Sequence, residues 1–341
     1  MTGKGRTVLV VGFPGSLAER IAANLVLRPD TRIVILVEAA HAEEAQRLAA
    51  GVDGRVRILI GSLTRIDFGL TGPDYLSLSN EVAAIVALDL PAPRHGEPPT
   101  RARAQTREVI ELALAAPRLE HAIVLSHLDV CGSIDGVFAE HDLDAGQEFS
   151  SEDAEDRFRA ERVLRRFAGR LPLTIVRTGW LCGRGTGLAP VAHLLLASQP
   201  ELAASLKDMH APLLATDVAA AAEIVSTLAA RPGPAGGETL HLIEPGMGRP
   251  LDLAARVSEL ALSHVPSGFD LVAGARRALK RGGQDAWSPR EFFRAHPRDV
   301  RVSTAHTERL LAERGLSMPA FDDTVLTSLV LEAVEEIVGF R

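Results

Sequence analysis

Residues 7–22, TVLVVGFPGSLAERIA, join a β-branched apolar run to a helical pattern through Gly12 and Gly15. The run before Gly12 has the length and side chains of a buried strand, and after Gly15 apolar residues return at helical spacing in Leu17, Ala18, Ile21 and Ala22. A glycine turn between strand and helix lets the backbone approach a phosphate closely. The start of the helix adds free N–H groups and the positive end of its dipole. Gly12, Phe13, Pro14, Gly15, Ser16 and Leu17 are therefore a candidate pyrophosphate cradle, with Ala18 where a third glycine often packs helix on strand. The competing reading is a strand-helix turn kept only for packing. A signal peptide is not indicated, because Gly12, Pro14 and Gly15 interrupt the apolar start and no small-residue cleavage pattern follows.

Downstream, short β-branched runs alternate with helical patterns. Strands are predicted over Thr7–Val11, Arg32–Val37, Arg55–Ile60, Val82–Leu88, His121–Leu125 and Leu173–Arg177, with helices beginning near Gly15, Ala40, Ala104 and Ser151. Six such strands make a doubly wound parallel sheet, an α/β Rossmann-type fold. Beyond Gly179 longer helical patterns dominate, at Thr216–Ala230, Leu251–His264 and Asp323–Val338, with one strand at Glu238–Ile243 among them. The chain thus divides into a dinucleotide-binding core over 1–180 and a mainly helical cap over 181–341. Pro91–Thr100, Arg231–Gly237 and Pro245–Pro250 are rich in proline or glycine and read as loops.

Composition closes off several function classes. The net charge of −7 with interspersed signs argues against a nucleic-acid or anionic-membrane surface, and the basic clusters Arg162–Arg166 with Arg170 and Arg276–Arg281 read as solvated helix faces. No apolar run reaches membrane-span length. Cys131 and Cys182 form no CxxC pair, the histidines show no HExxH spacing, and a reducing cytoplasm is the expected compartment. Ser126, His127, Asp129 and His141 do not make a hydrolase, since no GxSxG elbow is present and neighbouring strand residues face opposite ways. At the end of the second strand stands Glu38, where a carboxylate accepts from ribose hydroxyls and repels a 2′-phosphate. NAD is favoured over NADP on that ground, with no cofactor at all as the other reading. Glu38 also fits the exposed first turn of the next helix.

The segments GFPGSLAERIA, GSLTRIDFGLTGPDYLSLSNEV, TREVIELALAAPRLEHAIVLSHLDVCG, VFAEHDLDAGQEF and VRVSTAHTERLLAERGLSMPAF together resemble the extended short-chain dehydrogenase/reductase superfamily, and within it the thioester-reductase-like group that includes fatty acyl reductases. The resemblance implies a serine at the end of strand five, matched by Ser126, and a Tyr-x-x-x-Lys pair on the following helix. Aligning FRAERVL places Asp153 at the tyrosine and Arg157 at the lysine. It also implies cofactor contacts at Ser62, where an aspartate would meet adenine, at neighbouring Leu63, and at Ala87 in the segment running to Pro91. Ala102 stands where the family has asparagine.

The exchange at Asp153 has a chemical consequence. A tyrosine can be tuned by a cation into a proton donor at neutral pH, whereas an aspartate beside Arg157 is expected to be ionised. Asp153 also reads structurally, as the acid of a capping box begun by Ser150 and as the i,i+4 partner of Arg157. The only tyrosine, Tyr75, lies far upstream. Two functional readings follow: a degenerate reductase-like protein that binds a nucleotide or ligand in a regulatory or scaffolding role, or an NAD(P)H-dependent oxidoreductase on an acyl-thioester, aldehyde or other carbonyl substrate, using Ser126 and a non-standard proton donor. The long apolar helices leave room for a protein partner or a second copy.

Overall fold

A computed structural model describes residues 5–50, 52, 54–88, 100–134, 136–149, 151–183, 186, 189–200, 203–204, 207, 212–231, 237–244, 248–281, 300–318 and 322–339. Its centre is a seven-stranded sheet built from β1 (Arg6–Phe13), β2 (Thr31–Val37), β3 (Val56–Ile60), β4 (Val82–Ala87), β5 (His121–His127), β7 (Leu173–Thr178) and β10 (Glu238–Leu242). The order is β10-β7-β5-β4-β1-β2-β3, and every pair is parallel. The chain therefore runs outward one way from β1 to β3, then returns past β1 to β4. That reversal is the switch point beside which doubly wound sheets bind ligands.

Both faces of the sheet are buried, which explains why its strands read as continuous β-branched runs. Val8, Val10, Ile33, Ile35, Ile123 and Leu125 face one side, against α1 (Ser16–Val26) and α7 (Val218–Ala230). Their alternates Leu9, Val11, Val34, Leu36, Ala122 and Val124 face the other, against α4 (Arg101–Ala115) and the end of α5 (Glu152–Arg165). Two shorter helices connect the early strands: α2 (Ala42–Ala50) follows β2, and α3 (Gly72–Glu81) leads into β4.

All six strands expected from the first half are present. The strand at Glu238–Leu242, expected to interrupt a helical cap, instead extends the main sheet beside β7, and α7 packs on α1. The sheet thus draws on residues from both sides of position 180. Beyond it, α6 (Ala189–Ala197), α8 (Pro250–Leu262), α9 (Leu271–Arg281) and α11 (Asp323–Gly339) share a separate apolar core that includes Leu194, Leu253, Ala275 and Val330. Two small parallel pairs complete the picture: β8 (Trp180–Cys182) with β9 (Ala215–Asp217), and β6 (Gly136–Phe138) with β11 (Val300–Val302), which precedes α10 (Ala305–Glu313). The predicted loop at Pro91–Pro99 lies outside the described residues, as do 232–236 and 245–247 of the other two.

Candidate functional site

β1 ends against β4, where the Leu88 N–H donates to the Val11 carbonyl at 2.9 Å. Gly12 follows with φ +101°, and a Cβ there would stand 3.0 Å from Leu88 Cβ and 3.2 Å from its carbonyl oxygen. Both the dihedral and the close approach demand glycine. Gly15, at φ +153°, precedes the first helical residue, and a Cβ on it would meet nothing within 4 Å among the described residues. Among the described residues no side chain caps α1. Among them its first N–H groups therefore have no side-chain acceptor from a cap, an arrangement able to receive a phosphate. Phe13 and Leu17 are buried in the core, as is Ala18, so Phe13 and Leu17 can serve a ligand only through their backbone. Ser16 and Pro14 are half-buried at the rim.

Phe13 pairs with Val37, which sets Glu38 beside the glycine turn. Glu38 begins the short turn Ala39–His41, its carbonyl accepting from His41 N at 2.9 Å. Ser62 N donates to the Phe68 carbonyl at 2.7 Å, closing a loop in which Asp67 and Phe68 both take positive φ. Leu63 and Phe68 are buried beneath that loop, and Ala87 is buried at the end of β4. Residues 89–91 of the expected cofactor-facing segment lie outside the described residues. Gln105 went unnoticed in the sequence. It is buried in α4 and donates through Nε2 to the Leu88 carbonyl at 3.1 Å, fastening the end of β4 against which Gly12 rests. Ala102 keeps only a backbone role, its N–H donating to Asp156 Oδ2 at 2.9 Å.

On the far side of the switch point, Ser126 lies near the end of β5 with its Oγ buried and, among the described residues, without a hydrogen-bond partner. Asp153 and Arg157 lie one turn apart on α5, but two expectations change. The helix is capped by Ser151, which accepts from Ala154 N at 3.1 Å, so Asp153 falls in the second helical position; Ser150 is outside the described residues. Arg157 Nη1 donates to Asp129 Oδ2 at 2.7 Å, committing the guanidinium to a carboxylate 28 residues upstream. Asp153 is not held low by that cation. Burial pushes its carboxyl above the usual range, Arg157 pulls it down less, and Asp129, Asp156 and Glu152 add to the rise. A half-buried carboxyl among like charges keeps its proton more readily than the sequence implied.

The charges around α5 are consumed internally. Asp156 accepts from Arg103 as well as from the first N–H groups of α4. Glu161 grips the fully buried Arg177 of β7, whose Nη1 meets His241 Nε2 at 3.0 Å and whose guanidinium lies 4.7 Å above the Phe138 ring. Burial holds the His241 imidazole down at about 4, with Arg177 adding to the effect. Arg165 donates to the His141 carbonyl at 2.6 Å, so the expected solvated basic face is partly a brace for the loop before α5. Tyr75 packs in α3 against the lower core, and burial, followed by Asp67 and two glutamates, pushes its phenol up to about 12. Among the described residues no cluster of metal-ligating groups occurs, and no helix is long and apolar enough to cross a membrane.

No family model matches the sequence, and no curated protein matches it. Solved structures do. The terminal R domain of the myxalamid PKS-NRPS biosynthetic pathway is 22% identical with a TM-score of 0.71, over 100% of this chain and 93% of its own. The reductase (R) domain of a nonribosomal peptide synthetase from Mycobacterium tuberculosis is 19% identical with a TM-score of 0.69, covering 98% and 92%. Gre2 from Candida albicans, solved in complex with NADPH, is 13% identical with a TM-score of 0.68, covering 98% and 99%. At these identities the likeness is one of fold: the chain shares the Rossmann-type α/β fold of these solved reductase domains.

Proposed function

We propose that this chain binds a nicotinamide dinucleotide and does not perform the Tyr-Lys proton step of its fold relatives. The observation that carries this reading is the start of α1 behind Gly12 and Gly15, which among the described residues has no side-chain cap and nothing within 4 Å of where a Cβ on Gly15 would stand. Those residues fit a pyrophosphate. The backbone from Gly12 to Leu17 would hold it, and Glu38 would take the ribose hydroxyls and favour NAD over NADP. Ser62, Leu63 and Ala87 would line the adenine and nicotinamide ends. A bound nicotinamide ring supplies or accepts a hydride. For this chain's own residues, Asp153 and Arg157 take no part as an acid and its tuning cation, because Arg157 is engaged by Asp129. A regulatory or scaffolding role in the cytoplasm follows from that loss, with a protein partner or a second copy as the natural reader of the bound state.

A second reading, an oxidoreductase acting on an acyl-thioester or another carbonyl, is favoured by two features: the partnerless Ser126 Oγ, a ready donor to a carbonyl oxygen, and the raised Asp153 carboxyl. Calorimetric titration separates these ideas. NADH is expected to bind, more tightly than NADPH, and Gly15→Arg is expected to weaken it at least ~100-fold, which is about 2.7 kcal/mol. Failure of the wild-type chain to bind either dinucleotide sinks both readings. Turnover of aldehydes or acyl-thioesters that disappears with Ser126→Ala would establish the oxidoreductase instead.

A further inference from the structure

Two neighbouring helices of the C-terminal region carry opposite charge. In α9 the charged side chains are Arg276, Arg277, Lys280 and Arg281, with no acid; in α11 they are Asp323, Glu332, Glu335 and Glu336, with no base. Exposed helix faces usually interleave the two signs, because an acid and a base one turn apart stabilise each other and like charges at that spacing repel. Neither helix does so. They pack on each other through apolar faces, close enough that a Cβ on Gly274 would stand 2.8 Å from Ile337 Cγ2. Buried Ala275, Ala278 and Leu279 turn the exposed Arg276, Arg277 and Lys280 away from that core. On α11, buried Ala333, Val334 and Ile337 do the same for the exposed Glu335 and Glu336.

These five charges make no ion pair among the described residues. The pair that α11 does form is at its other end, between Asp323 and Arg256 of α8. Glu335 and Glu336 also stand near the C-terminus of α11, where the helix dipole favours cations and no base is present. Burial pushes the Glu336 carboxyl up and Glu332 adds to the rise. An acidic or a basic partner would answer one of the two faces and repel the other. A second copy answers both, because a twofold axis between the helices lays α9 of each copy over α11 of the other and closes the assembly. We propose that this paired face is the interface between two copies of the chain, with Arg276, Arg277 and Lys280 of each set against Glu335 and Glu336 of the other. The interface does not depend on the dinucleotide reading, and its test needs no NADH.

Sedimentation velocity at about 0.1 M and about 1 M salt provides that test, since the screening length falls from about 10 Å to about 3 Å between them. The chain should sediment as a dimer at the lower salt and shift toward monomer at the higher. One variant carries Arg276→Glu, Arg277→Glu and Lys280→Glu, and a second carries Glu335→Lys and Glu336→Lys. Each should be monomeric alone, and an equal mixture of the two should recover the dimer, because every reversed face then meets its complement. Should either chain not fold, the single changes Arg277→Glu and Glu336→Lys replace them, each weakening the dimer alone and restoring it on mixing. A wild-type monomer at both salts overturns the proposal, as does a dimer that survives both reversals or a mixture that stays monomeric. A monomer that co-sediments with vesicles containing phosphatidylserine would give α9 to an anionic lipid surface and overturn it too.

Discussion

The glycine turn and the face of α5 lie on opposite sides of the same switch point, and they differ in what they are made of. The first is written in backbone: two dihedrals, a close approach to Leu88 and an uncapped helix. The second is written in side chains: on α5 Arg157 holds Asp129 of the turn after β5, Asp156 ties the helix to α4 and Glu161 ties it to β7. Backbone geometry survives most substitutions, because only glycine positions specify it. A side-chain constellation can be rewritten by single exchanges while the helix beneath keeps its packing. On the proposed function, the fold keeps the backbone cradle while the side chains facing it change.

Several measurements would break or sharpen this contrast. Arg177→Met should have the largest effect, since it leaves Glu161 buried without its cation, and breaking such a pair costs about 3–5 kcal/mol. The urea midpoint should fall accordingly. If it does not move, the α5 face is not anchored as described. Acid should come next. Burial holds His121 and His241 each at about 4, below the ordinary histidine value, so the unfolded chain binds the extra protons. Their contribution is whole above roughly pH 6.5 and is lost as pH falls toward 4, by about 3 kcal/mol for His121. His121 bonds the Leu228 carbonyl on the helix packed against α1, whereas His241 bonds Arg177. Replacing each with asparagine and repeating the pH series in urea tells which side yields first.

Smaller effects probe single contacts. Glu38→Ala should weaken NADH about tenfold, near 1.4 kcal/mol, and narrow the gap to NADPH in the same calorimetric assay. An unchanged ratio would mean that Glu38 only opens the turn Ala39–His41. Ser151→Ala should cost about 1 kcal/mol in the unfolding transition through loss of the α5 cap. Ser150→Ala should cost less, and the reverse order would restore the cap expected from the sequence.

Much of the sheet was legible because strands buried on both faces are continuous β-branched runs, and the glycine turn was legible because its residues are consecutive. What escaped detection was set by distance along the chain. Glu238–Leu242 reads as a strand, but periodicity does not say which sheet receives it. The adjacent serines 150 and 151 both precede a helical pattern, and the backbone alone chose the second as cap. Arg157 had an acid four residues before it and took one 28 residues away. Gln105 and Arg177 look unremarkable in sequence, since nothing local announces that their polar groups end beneath Leu88 or against Glu161.

The pairing of β6 with β11 also bears on how the chain is made. Glu140 Oε1 accepts from both Thr307 N and Thr307 Oγ1, across 167 residues, and Val300–Val302 lines up with Gly136–Phe138. On a ribosome adding about 5–20 residues per second, roughly 8–30 s separate the synthesis of these partners. During that interval the glycine turn, complete by β4, is free to form, while the loop before α5 still lacks its fastening. The proposed cradle can therefore take shape before the loop that precedes α5 is fastened.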